Sequence, residues 1–310
     1  MAGAESACLS RSSGSRVAIS RDTGRTGLHL LSTDDHARDA VGLTYIYPVI
    51  SRRAGGVSVG INLNTNNACN WRCVYCQVPG LLRGVAPEID LTLLESELSG
   101  FIDEVVHGDF MQTRVPEGCR RLCDIAISGN GEPTSCAQFD QVVALIVSVM
   151  SRAALAPDVR LRLITNGSYV HREHVRAGLA MMAAHHGEVW IKVDAVTEAA
   201  VQRINGIRMH AGRLRAQVVT AAALCPTWIQ TCLFALDGAG LDAAEQRAYL
   251  DFLAELLADG VVLEGVLLYG LARPSQQPEF ALRLSGLSAD AVQTVAERIR
   301  ALGLVVRISP

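Results

Sequence analysis

No apolar run in this 310-residue chain reaches the roughly 18 residues that a membrane-spanning helix needs. The N-terminus also lacks the apolar core of a secretory signal. Basic residues are not in excess, 28 against 31 acidic ones, so no global positive field advertises a nucleic acid partner. Nine cysteines is an odd number, and three of them fall at ligand spacing, which fits a reducing compartment better than a disulfide framework. The expectation is a cytoplasmic protein without a membrane partner. With 49% hydrophobic content and only 19% charged residues the chain can bury one large core.

Residues 1–40 are expected to form a disordered tail ahead of a single domain over 41–310. The first 26 residues are rich in Ser, Gly and Arg (Arg11, Ser12, Ser13, Ser15, Arg16, Arg21, Arg25) and show no apolar periodicity. That composition is shared by organelle transit peptides, although no sustained amphipathic helix accompanies it.

From residue 57 onward strand-like and helix-like segments alternate, the pattern of a parallel sheet wrapped by helices. Strands are predicted at 57–64, 123–128, 159–165, 188–194, 227–236 and 262–269, with a last apolar run at 304–308. Helices are predicted at 90–107, 137–152, 171–186, 197–204, 211–224, 242–258 and 288–302. Six β/α units result, two short of a closed barrel. Alternation within 188–194 sends Val189, Ile191 and Val193 toward helices and Lys192 and Asp194 into the lumen. It also turns Asn62 and Asn64 inward. A polar lumen is either a ligand site or a set of mutually satisfied structural pairs.

Chemistry concentrates at Cys69-Asn70-Trp71-Arg72-Cys73-Val74-Tyr75-Cys76, where three cysteines stand at x3 and x2 spacing after a strand and a polar loop. Three thiolates can each take one iron of a cubane [4Fe–4S] cluster and leave the fourth iron open to a ligand that is not protein. A zinc knuckle would want a fourth Cys or His nearby, and His107 is the first histidine downstream. Buried structural cysteines rarely fall at ligand spacing inside a loop. Among the others, Cys119, Cys123 and Cys136 are close enough in sequence for a second cluster to be considered. Cys232 is either core or a lumen thiol.

Two further motifs end predicted strands: Ser128-Gly129-Asn130-Gly131-Glu132-Pro133 and Thr165-Asn166-Gly167. Glycines permit close backbone approach, and a carboxylate can pair with a ligand cation. Other unusual segments are Ile191-Lys192-Val193-Asp194, Arg203-Ile204-Asn205-Gly206, Leu267 to Pro274, and Tyr47 to Gly56 with its Ser51-Arg52-Arg53.

With an aromatic, Tyr75, before its third cysteine, the triad resembles that of the radical S-adenosylmethionine (SAM) enzymes. The remaining motifs resemble the Fe–S oxidoreductase branch related to the tRNA wyosine-synthesis enzymes, over residues 43–308. The resemblance implies an α/β fold, a partial (β/α)6 TIM-like barrel. It implies a [4Fe–4S] cluster on Cys69, Cys73 and Cys76, with SAM chelating the open iron, and reductive cleavage to a 5′-deoxyadenosyl radical that abstracts hydrogen from a substrate. Tyr75 would bracket the adenine, Gly129, Gly131, Glu132 and Pro133 would hold the SAM amino group, and Asn166, Lys192 and Asp194 would complete the site. A reductant such as flavodoxin or ferredoxin is implied. The substrate is open, a small molecule or peptide being favoured over tRNA because the chain is acidic. The alternative is a regulatory or scaffold protein that binds cluster and SAM without turnover.

Overall fold

A computed structural model of the chain describes residues 30–31, 41–51 and 55–309. The expected tail lies outside these residues apart from Leu30 and Leu31, as do Cys8, Arg52 and Arg53. Leu31 is buried, and its N–H donates to the Arg114 carbonyl at 2.8 Å.

One eight-stranded sheet organises the chain. Its strands are β1 (Ile46–Ser51), β2 (Gly56–Ile61), β3 (Leu122–Ile127), β4 (Arg160–Thr165), β5 (Glu188–Lys192), β6 (Thr227–Cys232), β7 (Gly265–Tyr269) and β8 (Val306–Ser309), and their spatial order is their chain order. All pairings are parallel except the first, where β1 runs antiparallel to β2. Sequential parallel strands joined by helical crossovers of one hand curl the sheet toward a barrel. Here β1 and β8 do not meet, so the result is an open half-barrel.

The helices are α1 (Leu91–His107), α2 (Phe110–Arg114), α3 (Phe139–Arg152), α4 (Glu173–Ala184), α5 (Glu198–Asn205), α6 (Ala211–Leu224), α7 (Ala243–Ala258) and α8 (Ala289–Arg300). Their faces follow from apolar spacing. On α3, Phe139, Val142, Val143, Ile146 and Val149 recur at three- and four-residue intervals and all are buried. Each such side chain contributes about 1.5–3 kcal/mol by leaving water, and Phe139→Ala should cost about 3–5 kcal/mol. Caps set the ends. Asp90 accepts from Leu93 N–H at 3.0 Å ahead of α1, Asp242 and Glu245 form a reciprocal capping box on α7, and Gly206 ends α5 at φ 66°.

The strand set differs from the sequence expectation in one element and in several ends. The antiparallel β1 has no counterpart among the predicted strands, because Pro48 lacks a donor and weakens the strand pattern; at the sheet edge that lack is tolerated. The run at 304–308 is the eighth strand. The segment 188–194 leaves the sheet at Lys192, 227–236 leaves it at Cys232, and 262–269 enters it only at Gly265.

Candidate active site

The carboxyl ends of the parallel strands surround a cavity of about 270 Å³. In its wall are Cys69, Cys73, Tyr75 and Cys76 from the loop after β2, Gly129 to Glu132 after β3, Asn166 after β4, Lys192 at the end of β5, and Cys232 and Tyr269 from β6 and β7. Pro133 and Asp194 are not in this wall.

The cysteine loop is shaped by bonds to distant parts of the chain. Arg72 N–H donates to the Asn205 carbonyl and Val74 N–H to the Ile204 carbonyl, each at 2.9 Å, so the C-terminal end of α5 holds the backbone on both sides of Cys73. Trp71 fixes the loop against the next motif, its indole N–H donating to Ser168 Oγ at 3.0 Å. All eight described cysteines are free thiols. Burial pushes the Cys69 thiol up to about 12 and the Cys73 thiol up to about 11. Such thiols ionise only when a cation compensates them, which bound iron does. Among the described residues no three His, Cys, Asp or Glu side chains converge on one metal ion. Three thiolates from one short loop, all in the wall of one cavity, are the donor set of a cubane, which asks each thiolate to reach a different iron. The residues present therefore fit a cluster.

Glu132 is 2% exposed, and its carboxylate accepts from Thr134 N–H at 3.0 Å, Asn166 N–H at 2.6 Å, and the hydroxyls of Thr134 and Thr165. It ties the loop after β3 to the end of β4. Burial lifts its pKa above the ordinary carboxylate value although all four donors pull it down. Asn166, in turn, donates from Nδ2 to Asn70 Oδ1 at 2.9 Å, which joins the end of β4 to the cysteine loop.

Asn62 and Asn64, read as lumen-facing polar residues, bond to neighbouring loops, while Asn64 Oδ1 is buried without a partner. Asn62 Oδ1 accepts from the N–H groups of Asn64 and Asn130 at 3.1 and 3.0 Å, and Asn64 Nδ2 donates to the Ala68 carbonyl at 2.9 Å. The glycines have a matching explanation. A Cβ on Gly131 would overlap the Ala68 carbonyl oxygen and the Asn64 amide, so the close approach it permits is between two loops of the protein.

Lys192 lies with Nζ 5.2 Å from the centroid of the Tyr75 ring. Desolvation opposes its charge, but Tyr269, Cys73 and Asp194 outweigh that and hold the ammonium above its usual range. Asp194 does not point into the lumen as the alternation suggested. The strand has ended two residues earlier, and the buried carboxylate accepts from Tyr75 OH, from Asn205 Nδ2 at 2.8 Å and from Cys232 N–H at 2.9 Å. It stands behind the cavity and fixes the ring that faces it.

Sequence reasoning missed three parts of the site. The floor is an ion network in which Arg162 pairs with Asp124 and Glu188, Ser58 Oγ donates to Asp124, and the Trp190 indole donates to Glu188 at 3.0 Å. The alternation that found Lys192 also places Asp124 and Arg162 inward. Gln230, 1% exposed, lines the cavity with Oε1 unpartnered, beside Lys192 in the strand register. Asn205 stands in the Arg203-Ile204-Asn205-Gly206 segment, to which the sequence alone assigns no role. Of the cysteines considered for a second cluster, Cys123 is buried within β3, Cys136 is buried ahead of α3 and Cys119 is half-buried.

No family model matches this chain. A curated protein described as GTPase Obg, from Brachyspira hyodysenteriae, is 26% identical over 132 residues, 43% of this chain and 17% of that one. This likeness identifies no family, and the Gly-x4-Gly-Lys-Ser/Thr phosphate loop is absent here. Among solved structures, SuiB of Streptococcus suis bound to S-adenosylmethionine aligns with a TM-score of 0.54 at 11% identity, over 82% of this chain and 50% of that one. TYW1 with a lysine-pyruvate adduct aligns at 0.51 and 15%, over 83% and 76%. A radical SAM methyltransferase from Sphaerobacter thermophilus aligns at 0.52 and 15%, over 85% and 68%. The chain spans about half the length of the SuiB chain and a sixth of the curated relative. The half-barrel, with its sequential parallel strands and a cysteine loop after the first of them, has the fold of the radical SAM enzymes.

Proposed function

We propose that this protein is a radical SAM enzyme. The observation that carries the reading is the meeting of the three cysteines with the Gly129–Glu132 loop, Asn166 and Lys192 in the wall of one cavity, at the carboxyl ends of parallel strands. When bound, a [4Fe–4S] cluster held by the three cysteines would supply the electron for reductive cleavage of SAM, the chemistry that abstracts hydrogen from a substrate.

The chain's own residues supply the rest. Cys69, Cys73 and Cys76 hold iron. The backbone of Gly129 to Gly131 and the Glu132 carboxylate receive the SAM ammonium, with Pro133 setting the turn beneath them. Lys192 offers a fixed cation for an anionic group of the ligand, and Asn166 stands where it can bond the same molecule. Tyr75, held by Asp194, presents an aromatic face to the adenine. Burial of the cavity wall excludes water from a reactive radical.

A small molecule or peptide is favoured as substrate over tRNA. Of the arginines in the cavity wall, Arg162 is engaged by two carboxylates and Arg273 donates to Gln77 Oε1 at 2.5 Å. Few remain for phosphate contact. SuiB has been solved with a precursor peptide bound, which gives the peptide reading a precedent in this fold. Flavodoxin or ferredoxin would serve as reductant.

The test is anaerobic reconstitution followed by dithionite and SAM, with 5′-deoxyadenosine measured. About four irons per chain and accumulation of 5′-deoxyadenosine are expected. Cluster and SAM binding without cleavage would instead support a regulatory or scaffold protein.

A further inference from the structure

The segment Arg203-Ile204-Asn205-Gly206 has no assigned role, yet each of its residues is engaged at the cysteine loop or anchors the helix that reaches it. Arg203 forms a two-pronged pair with Glu245, both contacts at 2.9 Å, which fastens α5 to α7. The carbonyls of Ile204 and Asn205, freed of helical partners at the end of α5, accept the N–H groups on either side of Cys73. Gly206 must be glycine for two reasons: its φ is 66°, and a Cβ there would stand 2.8 Å from the Arg72 carbonyl oxygen. Asn205 itself is 1% exposed, and its Nδ2 makes two contacts, to Cys73 Sγ at 3.4 Å and to Asp194 Oδ2 at 2.8 Å. Because an ionised carboxylate only accepts, the amide must turn its NH2 end this way, and its second hydrogen then faces the sulfur.

We propose that Asn205 is a positioning residue that donates an N–H to the Cys73 sulfur and raises the reduction potential of an iron–sulfur cluster held there. This rests on the cluster reading above. A donor aimed at a ligand sulfur stabilises the more electron-rich, reduced cluster, and hydrogen bonds to sulfur are among the factors that set such potentials. The geometry keeps the donor in place without a ligand's help. Asp194 holds one of its hydrogens, Tyr75 and the Cys232 backbone hold Asp194, and the helix end holds the loop.

The experiment is an EPR-monitored redox titration of the reconstituted protein beside Asn205→Leu, which keeps the volume without a donor, and Asn205→Ser, which keeps a shorter donor. Iron content is measured on the same samples. A net hydrogen bond of ordinary strength corresponds to about a fivefold change in the reduced-to-oxidised ratio at fixed potential. At the wild-type midpoint the reduced-to-oxidised ratio of Asn205→Leu should therefore be about fivefold lower, with Asn205→Ser between the two. If Asn205→Leu fails to hold iron, Asn205→Ser alone decides. Midpoints equal to the wild type overturn the proposal, as does loss of iron in both variants, which would make Asn205 purely structural. Failure of the wild type to assemble a cluster would instead overturn the cluster reading.

Discussion

Replacing Glu132 by alanine removes the acceptor shared by four donors that join the ends of β3 and β4. Two of these are backbone N–H groups, from Thr134 and Asn166, which cannot turn elsewhere. Each buried and unpaired N–H costs about 1–3 kcal/mol, while the two threonine hydroxyls can rotate toward other partners. The cavity alongside lets water recover part of the loss, so a destabilisation of about 2–4 kcal/mol is expected. Glu132→Gln keeps one oxygen and loses the acceptor opposite a single donor, and should cost less, about 1–2 kcal/mol. The carboxylate is also proposed to receive the SAM ammonium, so both variants should bind SAM more weakly while keeping about four irons, because no iron ligand is touched. The assay is urea unfolding, iron analysis and equilibrium dialysis with SAM on each reconstituted protein. An alanine variant with the wild-type unfolding midpoint and wild-type SAM affinity would refute both parts of the reasoning. A lower midpoint with unchanged affinity would leave Glu132 as a brace between two loops.

Cys69, Cys73 and Cys76 changed together to alanine should abolish the four-iron cluster, read by iron and sulfide analysis; a full cluster in that variant would sink the assignment. Arg162→Leu should destabilise by about 3–5 kcal/mol, because Asp124 and Glu188 are left as uncompensated charges in the barrel floor, and leucine at all three positions should recover much of that in a urea titration. Gly131→Ala should destabilise by about 1–3 kcal/mol, since the obstructing atom is the Ala68 backbone carbonyl and cannot rotate away; an unchanged unfolding midpoint would contradict the contact. Asp242→Ala should lower the melting temperature at pH 7. The N–H groups of Glu245 and Ala244 depress the Asp242 pKa, so its contribution is present above the unfolded value of about 3.9 and fades as pH falls through the lower folded one; a melting difference that did not narrow as pH falls below about 3.9 would contradict this.

Most of the sheet was legible because its information is local. The runs around Val57, Ile125, Leu161, Val189, Ile229 and Val266 are rich in branched residues and are separated by helix-length segments, so their number and parallel order follow from pattern alone. The edge strand was not legible, because Pro48 breaks the same pattern and is accommodated only by an edge. The two-residue period also has a limit that Lys192 and Asp194 make visible. Parity says which face a side chain takes while the chain remains in the sheet. Lys192 is the last residue of β5 and enters the cavity wall; Asp194 has the same parity but follows the strand's end and is turned behind Tyr75.

The candidate site was legible in its ligands and not in what holds them. Spacing alone brings Cys69, Cys73 and Cys76 onto one loop, and strand ends bring Glu132 and Asn166 beside it. Nothing local says that Asn62 and Asn64 will satisfy other loops, because a polar side chain in a lumen reads the same whether it waits for a ligand or already has a partner. Asn205 lies 132 residues beyond Cys73, a contact made only once the third and fourth β/α units have packed. The cysteine loop has little regular structure of its own, a two-residue ladder between Ala68–Cys69 and Leu82–Arg83, and takes the rest of its shape from the end of α5, from Ser168, which accepts the Trp71 indole N–H, and from Arg83, which donates to the Asn70 carbonyl. Its geometry is thus a property of the folded half-barrel. Substitutions at Ile204 to Gly206 should disturb the Cys73 sulfur as directly as substitutions at Arg72 or Val74.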